Sequence, residues 1–446
     1  MQQGSSVQPM DWLLKFRARW VTLQVGLRII SLTVMRRALG FRALVDSRFN
    51  CGQADEDHVR LPVIPVQILK NILLVRGLFH NNYLFSGLAK CCMNQIEYAL
   101  QGMEPRQPKE LPRININDID PIDFYERFVK VCRPVILTGV RYHKDSWSLA
   151  ELKRLHSATT VMMTDLKTGQ TSRQKLAALF DQGVGDRLYV HNCESLWAAD
   201  RFLLKSLFLG QFSKFLRREM KCAQIFLGMG ADTGTDMHCA NNFNIFFQLK
   251  GAKRWRFVNP EYTPLVFPVV GRSNGYFASL VSRASDADQN AEIQKIFKYC
   301  PRYEAVIHEG EVLLNPPLWW HSVSVVPETP ETISVSTRWG APALATIFGD
   351  RNNAIDCVET NHLFTSLQLP GVLRNLYSSI VHEVRQRHGQ TAKGALWQLE
   401  SLETEFEKNA HDDMPEEIAS GKIFKAFGIT RSAKDFNQVP PQTLFQ

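Results

Sequence analysis

From Ile114 onward the chain breaks into short apolar runs, PVILTGV, TTVMMTDL, CAQIFLGMG, FNIFFQL, RWRFV, EVLLNP and TISVSTRW, divided by turn-forming residues. Each run is short for a helix, and each is rich in the β-branched and aromatic residues that suit a pleated surface. Many short strands punctuated by turns predict a sandwich or barrel; a parallel α/β sheet would interleave its strands with longer helical segments.

The flanks read differently. Residues 1–103 look mainly helical, with apolar clusters in VIPVQILKNILLVRGLF and YLFSGLAKCCMNQIEYAL. EPRQPKELPR, residues 104–113, sets three prolines among alternating charges and predicts a linker. A β domain over 114–345 follows, interrupted between Gly271 and Lys298 by a polar insertion that predicts a loop with a short helix. A helical region over 346–446 closes the chain. There Leu373, Leu376, Tyr377, Ile380, Val381 and Val384 form one apolar stripe, and Leu396, Leu399, Leu402 and Phe406 another. Such stripes serve as core or as a homodimer face.

Charge narrows the partners. Lys15, Arg17, Arg19, Arg28, Arg36, Arg37, Arg42 and Arg48 stand against Asp11 and Asp46, so six of the chain's net eight positive charges fall in the first fifty residues. The remainder is nearly balanced, so no nucleic-acid partner is expected for the main domain. Trp20, Leu23, Leu27, Ile30 and Val34 recur at helical spacing within that basic stretch. Residues 12–48 therefore suit an amphipathic helix lying on the protein's own surface, with a membrane surface or an organelle-targeting role as alternatives. The apolar run is broken by Arg28 and is too short and charged for a membrane span. Nine cysteines with no C-x-x-C spacing argue for reduced thiols, hence an intracellular and most simply cytoplasmic protein.

Two of the twelve histidines sit in distinctive contexts: His238 in TDMHCANNFN and His321 in NPPLWWHSV. A histidine that holds Fe(II) on a strand is commonly followed two residues later by a carboxylate, because side chains at i and i+2 leave the same face and meet one metal. Here that position is Ala240. Cys239 should leave the opposite face from His238, and Asp236 is a weak candidate for a substitute ligand.

The runs TDMHCANNFNIFFQLKGAKRWRFVNP, EGEVLLNPPLWWHSVSV and ETISVSTRW closely resemble the JmjC/cupin-like Fe(II)- and 2-oxoglutarate-dependent oxygenases, over roughly residues 114–345. The resemblance implies a double-stranded β-helix, or jelly roll, with helical extensions. It implies His238 and His321 as metal ligands and catalytic centre, with Thr235, Asn244 and Lys253 at the 2-oxoglutarate. A dicarboxylate needs a cation and a hydroxyl at its distal end, which Lys253 and Thr235 supply. Trp319 and Trp320 wall the site, and Glu311 is a turn residue.

Three functions follow from the vacancy at Ala240. The first is an oxygenase acting on a protein or small-molecule substrate, whose third ligand is water, Asp236 or a distant carboxylate. The second is a halogenase in which chloride fills the vacant position and restores the missing negative charge. The third is an inactive JmjC-like binding or scaffold module.

Overall fold

The computed structural model describes Arg19, Trp20, Leu23, Val59 and residues 61–340, apart from 80, 169, 182–186, 194, 217–218, 231–232, 241–242, 271–276, 284–288, 318 and 330. The expected C-terminal helices, and nearly all of the basic stretch 12–48, lie outside the described residues.

Two sheets make the β domain. The first runs β1 (Arg113–Asn115), β2 (Val135–Thr138), β13, β8, β15, β6, β5 (Leu188–Cys193), β3 (Thr160–Asp165), β4 (Thr171–Lys175), and the second β10 (Pro268–Val270), β11 (Phe277–Ser279), β7, β14, β9, β12. The strands central to the site are β6 (Glu219–Gly228), β7 (Gly234–Cys239), β8 (Phe243–Lys250), β9 (Lys253–Val258), β12 (Arg302–Ile307), β13 (Val312–Asn315), β14 (Trp320–Val325) and β15 (Thr332–Gly340). The chain crosses between sheets at β6 to β7, β7 to β8 and β8 to β9, and again at β12 to β13, β13 to β14 and β14 to β15. This winds two antiparallel quartets, β13-β8-β15-β6 and β7-β14-β9-β12, face to face. That connectivity is the double-stranded β-helix of a jelly roll, as expected.

Strand alternation sorts the side chains into three apolar cores. Behind the nine-stranded sheet, Ile225, Leu227, Ile245, Phe247, Ile333 and Val335 pack with residues of the helical segments that cover it. Behind the six-stranded sheet, Met237, Cys239 and Trp320 pack with α1 (Val63–Phe79), α2 (Ser86–Leu100) and α3 (Ala291–Phe297), through residues such as Leu69, Ile96 and Ile296. Between the sheets a smaller core gathers Ile136, Phe246, Trp255, Phe257, Leu313 and Trp319. The polar residues of the site share this middle layer.

Two regions differ in detail from the sequence reading. The proline-rich segment lies against the edge of the six-stranded sheet: the backbone N–H groups of Arg106 and Lys109 donate to the carbonyls of Lys298 and Arg302, and Glu304 N–H donates back to the carbonyl of Lys109. An edge tolerates proline because one row of its amides needs no ladder partner. The polar insertion contains α3 as expected, capped by Asn290 on Glu292 N–H, and also a strand, β11 (Phe277–Ser279), which pairs with β7 so that Ala278 faces His238. Three residues are too few to show a period of two. Among the described residues, no helix is long and apolar enough to cross a membrane.

Candidate metal centre and cosubstrate pocket

β7 and β14 pair with His238 directly opposite His321, and Thr235 opposite Val323. Three residue steps on β7 thus match two on β14, a bulge that returns Thr235 to the face of His238 although the two are an odd number of residues apart. Met237 and Cys239 point into the outer core, as alternation required. The imidazoles meet with ring centroids 4.2 Å apart and planes at 55°. The Trp255 indole stacks on His321 at 5.4 Å and 20°.

Each imidazole is oriented by a backbone carbonyl: Nδ1 of His238 lies 2.8 Å from the Asp236 carbonyl oxygen, and Nδ1 of His321 lies 2.8 Å from that of Trp319. With Nδ1 donating, Nε2 of each ring keeps its lone pair. Desolvation between the sheets lowers the His238 pKa to about 4, and the Arg338 charge acts in the same direction. His321 is held well below the usual histidine range by burial, then by His238. Two neutral rings with fixed tautomers are what a divalent cation requires of histidine. The pair therefore fits a metal.

The third position does not follow the usual pattern. Ala240 is buried at 7% exposure. The Asp236 carboxylate is engaged elsewhere, its Oδ1 accepting from Arg283 N–H at 2.6 Å. Among the described residues, no third histidine, cysteine, aspartate or glutamate joins the pair.

Lys253, 2% exposed, reaches the same layer from β9. Its Nζ donates to Ser334 Oγ at 2.8 Å and lies 5.6–5.8 Å from the ring centroids of Tyr189, Phe226 and Phe246. Burial lowers its pKa to about 7. Among the described residues no carboxylate pairs with it. An ammonium in an aromatic cage with a single hydroxyl partner fits the distal carboxylate of a dicarboxylic acid. Asn244 Oδ1 accepts from Ser336 Oγ at 2.8 Å.

Several residues on this inner face escaped the sequence reading. Asn315 and Arg338 are both register partners of Asn244, so the three form one row across β13, β8 and β15. Arg338 is 9% exposed, and its Nε and Nη1 have no hydrogen-bond partner among the described residues. The Trp255 Nε1 and Asn315 Oδ1 atoms are likewise buried without a partner. Beyond them His191 accepts or donates at Thr164 Oγ1, 2.7 Å from its Nε2. One signal was present in the sequence: in TISVSTRW, Ser334, Ser336 and Arg338 alternate with Ile333 and Val335, which marks a strand with one polar face.

The two tryptophans before His321 diverge. The Trp319 indole N–H donates to the Cys132 carbonyl at 2.6 Å from the intersheet core, whereas Trp320 donates to Thr263 Oγ1 at 3.0 Å from the outer core. Glu311 closes a turn by accepting from His308 N–H at 2.8 Å and from Arg113 Nε at 3.0 Å.

The match to a family model agrees with this architecture. Residues 164–342 match the family model of the cupin-like domain. The chain carries a cupin-like domain, and the resemblance to the JmjC/cupin-like oxygenases rests on that domain as well as on the motifs. HSPB1-associated protein 1 of Homo sapiens and of Bos taurus are each 30% identical over 94 residues, 21% of this chain. The match spans 18% and 19% of the length of those two relatives. Among solved structures, YcfD, a ribosomal oxygenase from Escherichia coli in complex with cobalt and succinic acid, aligns at 15% identity over 50% of this chain and 52% of its own, with a TM-score of 0.34. A second structure of E. coli YcfD aligns at 16% identity over 50% and 53%, with a TM-score of 0.32.

Proposed function

We propose that the domain is an Fe(II)- and 2-oxoglutarate-dependent oxygenase with an atypical two-histidine centre, performing a hydroxylase-type oxidation of a protein or small-molecule substrate. The observation that carries the reading is the coexistence, in one intersheet layer, of two neutral histidines whose Nδ1 atoms are held by backbone carbonyls and a buried lysine that has no carboxylate counter-ion among the described residues. His238 and His321 would hold the metal, Lys253 the distal carboxylate, with Thr235 and Asn244 on the same inner faces. Bound together with O2, iron and 2-oxoglutarate supply the oxidation, which releases succinate and CO2. The protein's part is to fix the two imidazole tautomers, to orient the dicarboxylate by its charged end, and to exclude water with Trp255, Phe246 and Phe257.

The Arg338 observation favours a second reading. A buried guanidinium with two nitrogens that lack a partner among the described residues, whose charge is felt by both histidines, suits an anion beside them. Chloride next to Ala240 would make the domain a halogenase. A scaffold would bind neither cofactor productively.

Anaerobic titration of the full chain with Fe(II) and 2-oxoglutarate is the test, reading the metal-to-ligand charge-transfer band. A band that is lost in His238→Ala and His321→Ala supports the enzyme readings; its absence from the wild-type protein favours the scaffold. Succinate formation with and without chloride then separates the two chemistries. Ala240→Asp should tighten iron binding by completing a two-histidine, one-carboxylate triad, and should abolish any halide dependence.

A further inference from the structure

Arg338 is a buried cation for which hydroxylase chemistry with 2-oxoglutarate alone has no use. It lies on the inner face of β15, 9% exposed, and neither Nε nor Nη1 has a hydrogen-bond partner among the described residues. Register places it near the histidines. Its partner on β8 is Asn244, and Asn315, which pairs with Asn244 from β13, brings its amide nitrogen to 3.2 Å from Nε2 of His321. The guanidinium charge acts on both histidines. Trp255, stacked on His321, adds a third buried donor without a partner among the described residues, its Nε1. Orphaned N–H groups call for an acceptor, and an acceptor that is also an anion removes the cost of the buried charge.

Charge points the same way. In a two-histidine, one-carboxylate centre, a divalent metal and one lysine face an aspartate and a dicarboxylate, and the charges cancel. Here Ala240 supplies no carboxylate and Arg338 adds a cation, so a bound divalent ion and dicarboxylate leave an excess of positive charge. The Asp236 carboxylate is turned to the Arg283 backbone N–H. Lys253 meets β15 at Ser334, four residues or about 13 Å of strand from Arg338, so one carboxylate does not serve both cations. A planar guanidinium matches a carboxylate better than a spherical halide, and its single charge is balanced by a carboxylate but exceeded by a phosphate. We infer that Arg338 receives a carboxylate of the prime substrate, which is therefore an acid that places its charged group beside the metal. The inference deepens the oxygenase reading above and rests on it.

The experiment reads the melting temperature of the full chain, first without metal. Acetate and N-acetyl-aspartate amide should raise it by about 2–4 °C at tenfold their Kd, and uncharged N-acetyl-asparagine amide should not. Arg338→Met should lose the shift and Arg338→Lys keep part of it. Lys253→Met should keep most of it, which separates this site from that of the cosubstrate. The shift should also persist in protein saturated with Co(II) and 2-oxoglutarate. A shift given by chloride but not by acetate assigns Arg338 to a halide, and one abolished by saturating 2-oxoglutarate assigns it to the cosubstrate. A shift that survives Arg338→Met, or that the asparagine analogue gives equally, is general stabilisation. Each of these results, like the absence of any shift, overturns the inference and leaves the oxygenase reading standing. Wild-type protein that binds neither Co(II) nor 2-oxoglutarate overturns that reading, and the inference with it.

Discussion

The two faces of β15 are equally buried and chemically opposite. Outward, Ile333, Val335 and Trp339 join the apolar core behind the nine-stranded sheet, and the polar atoms among them are satisfied: the Trp339 indole donates to Thr337 Oγ1 at 2.9 Å, and Thr337 donates to the Ile245 carbonyl at 3.0 Å. Inward, Ser334 serves Lys253, Ser336 serves Asn244, and two Arg338 nitrogens have no partner among the described residues. Burial alone therefore does not distinguish scaffold from site in this protein. Satisfaction does: a face whose hydrogen bonds are complete holds the fold, and a face with orphaned donors and acceptors is shaped for something that completes them.

Substitutions on the two faces should separate stability from binding. The largest effect is expected outward, at Phe247, which is fully buried and meets Phe212 edge-on at 5.6 Å. Phe247→Ala should cost about 3–5 kcal/mol of stability by opening a cavity, measured by chemical denaturation. An unaltered denaturation midpoint would break the assignment of this face to the scaffold. Inward, Lys253→Met should leave stability equal or higher but weaken 2-oxoglutarate by about one to two decades, the loss of a charge-assisted hydrogen bond of about 1.5–3 kcal/mol. Unchanged cosubstrate affinity by calorimetry would remove Lys253 from the pocket.

pH sharpens the same contrast. Because burial holds Lys253 at about 7, below the lysine value of 10.5, its charged form is disfavoured in the folded chain. Below pH about 7 folded and unfolded chains both carry the proton and the penalty is constant. As pH rises toward 10.5 only the unfolded chain retains it, so this residue's contribution makes the ligand-free protein more stable with rising pH. The dicarboxylate requires the protonated form, so its affinity should fall above pH 7 by up to about tenfold per unit, with proton uptake on binding. A flat affinity profile between pH 7 and 9 would show that Lys253 is not the anchoring cation. The smallest stability change is expected at Arg338: Arg338→Met should raise stability by about 1 kcal/mol by removing an uncompensated buried charge, and should erase any effect of chloride on melting temperature. Destabilisation instead would place Arg338 with the scaffold.

Much of the fold was legible in one dimension. The short apolar runs predicted a β-sandwich or barrel, and the spacing of His238, Lys253 and His321 within motifs that resemble JmjC/cupin-like oxygenases supplied the jelly roll and the candidate centre. The opposite faces of His238 and Cys239 followed from alternation. The relation of Thr235 to His238 did not, because it depends on a bulge that exists only between paired strands. β11 was hidden in a polar insertion, and the proline-rich segment gave no sign of the sheet edge it lies on.

The sequence by itself determined which strands alternate and which residue types each carries, because a period of two is written into local backbone geometry. It also determined the vacancy, since alanine at position 240 supplies no ligand in any fold. Only the tertiary structure decided what surrounds the two histidines. Asn315 and Arg338 are distant in sequence from His238, and they meet the site through the register of β13, β8 and β15 and through the packing of one sheet over the other. Register and sheet packing are set by the sum of many side-chain contacts across the whole domain, and no local pattern of residues encodes them.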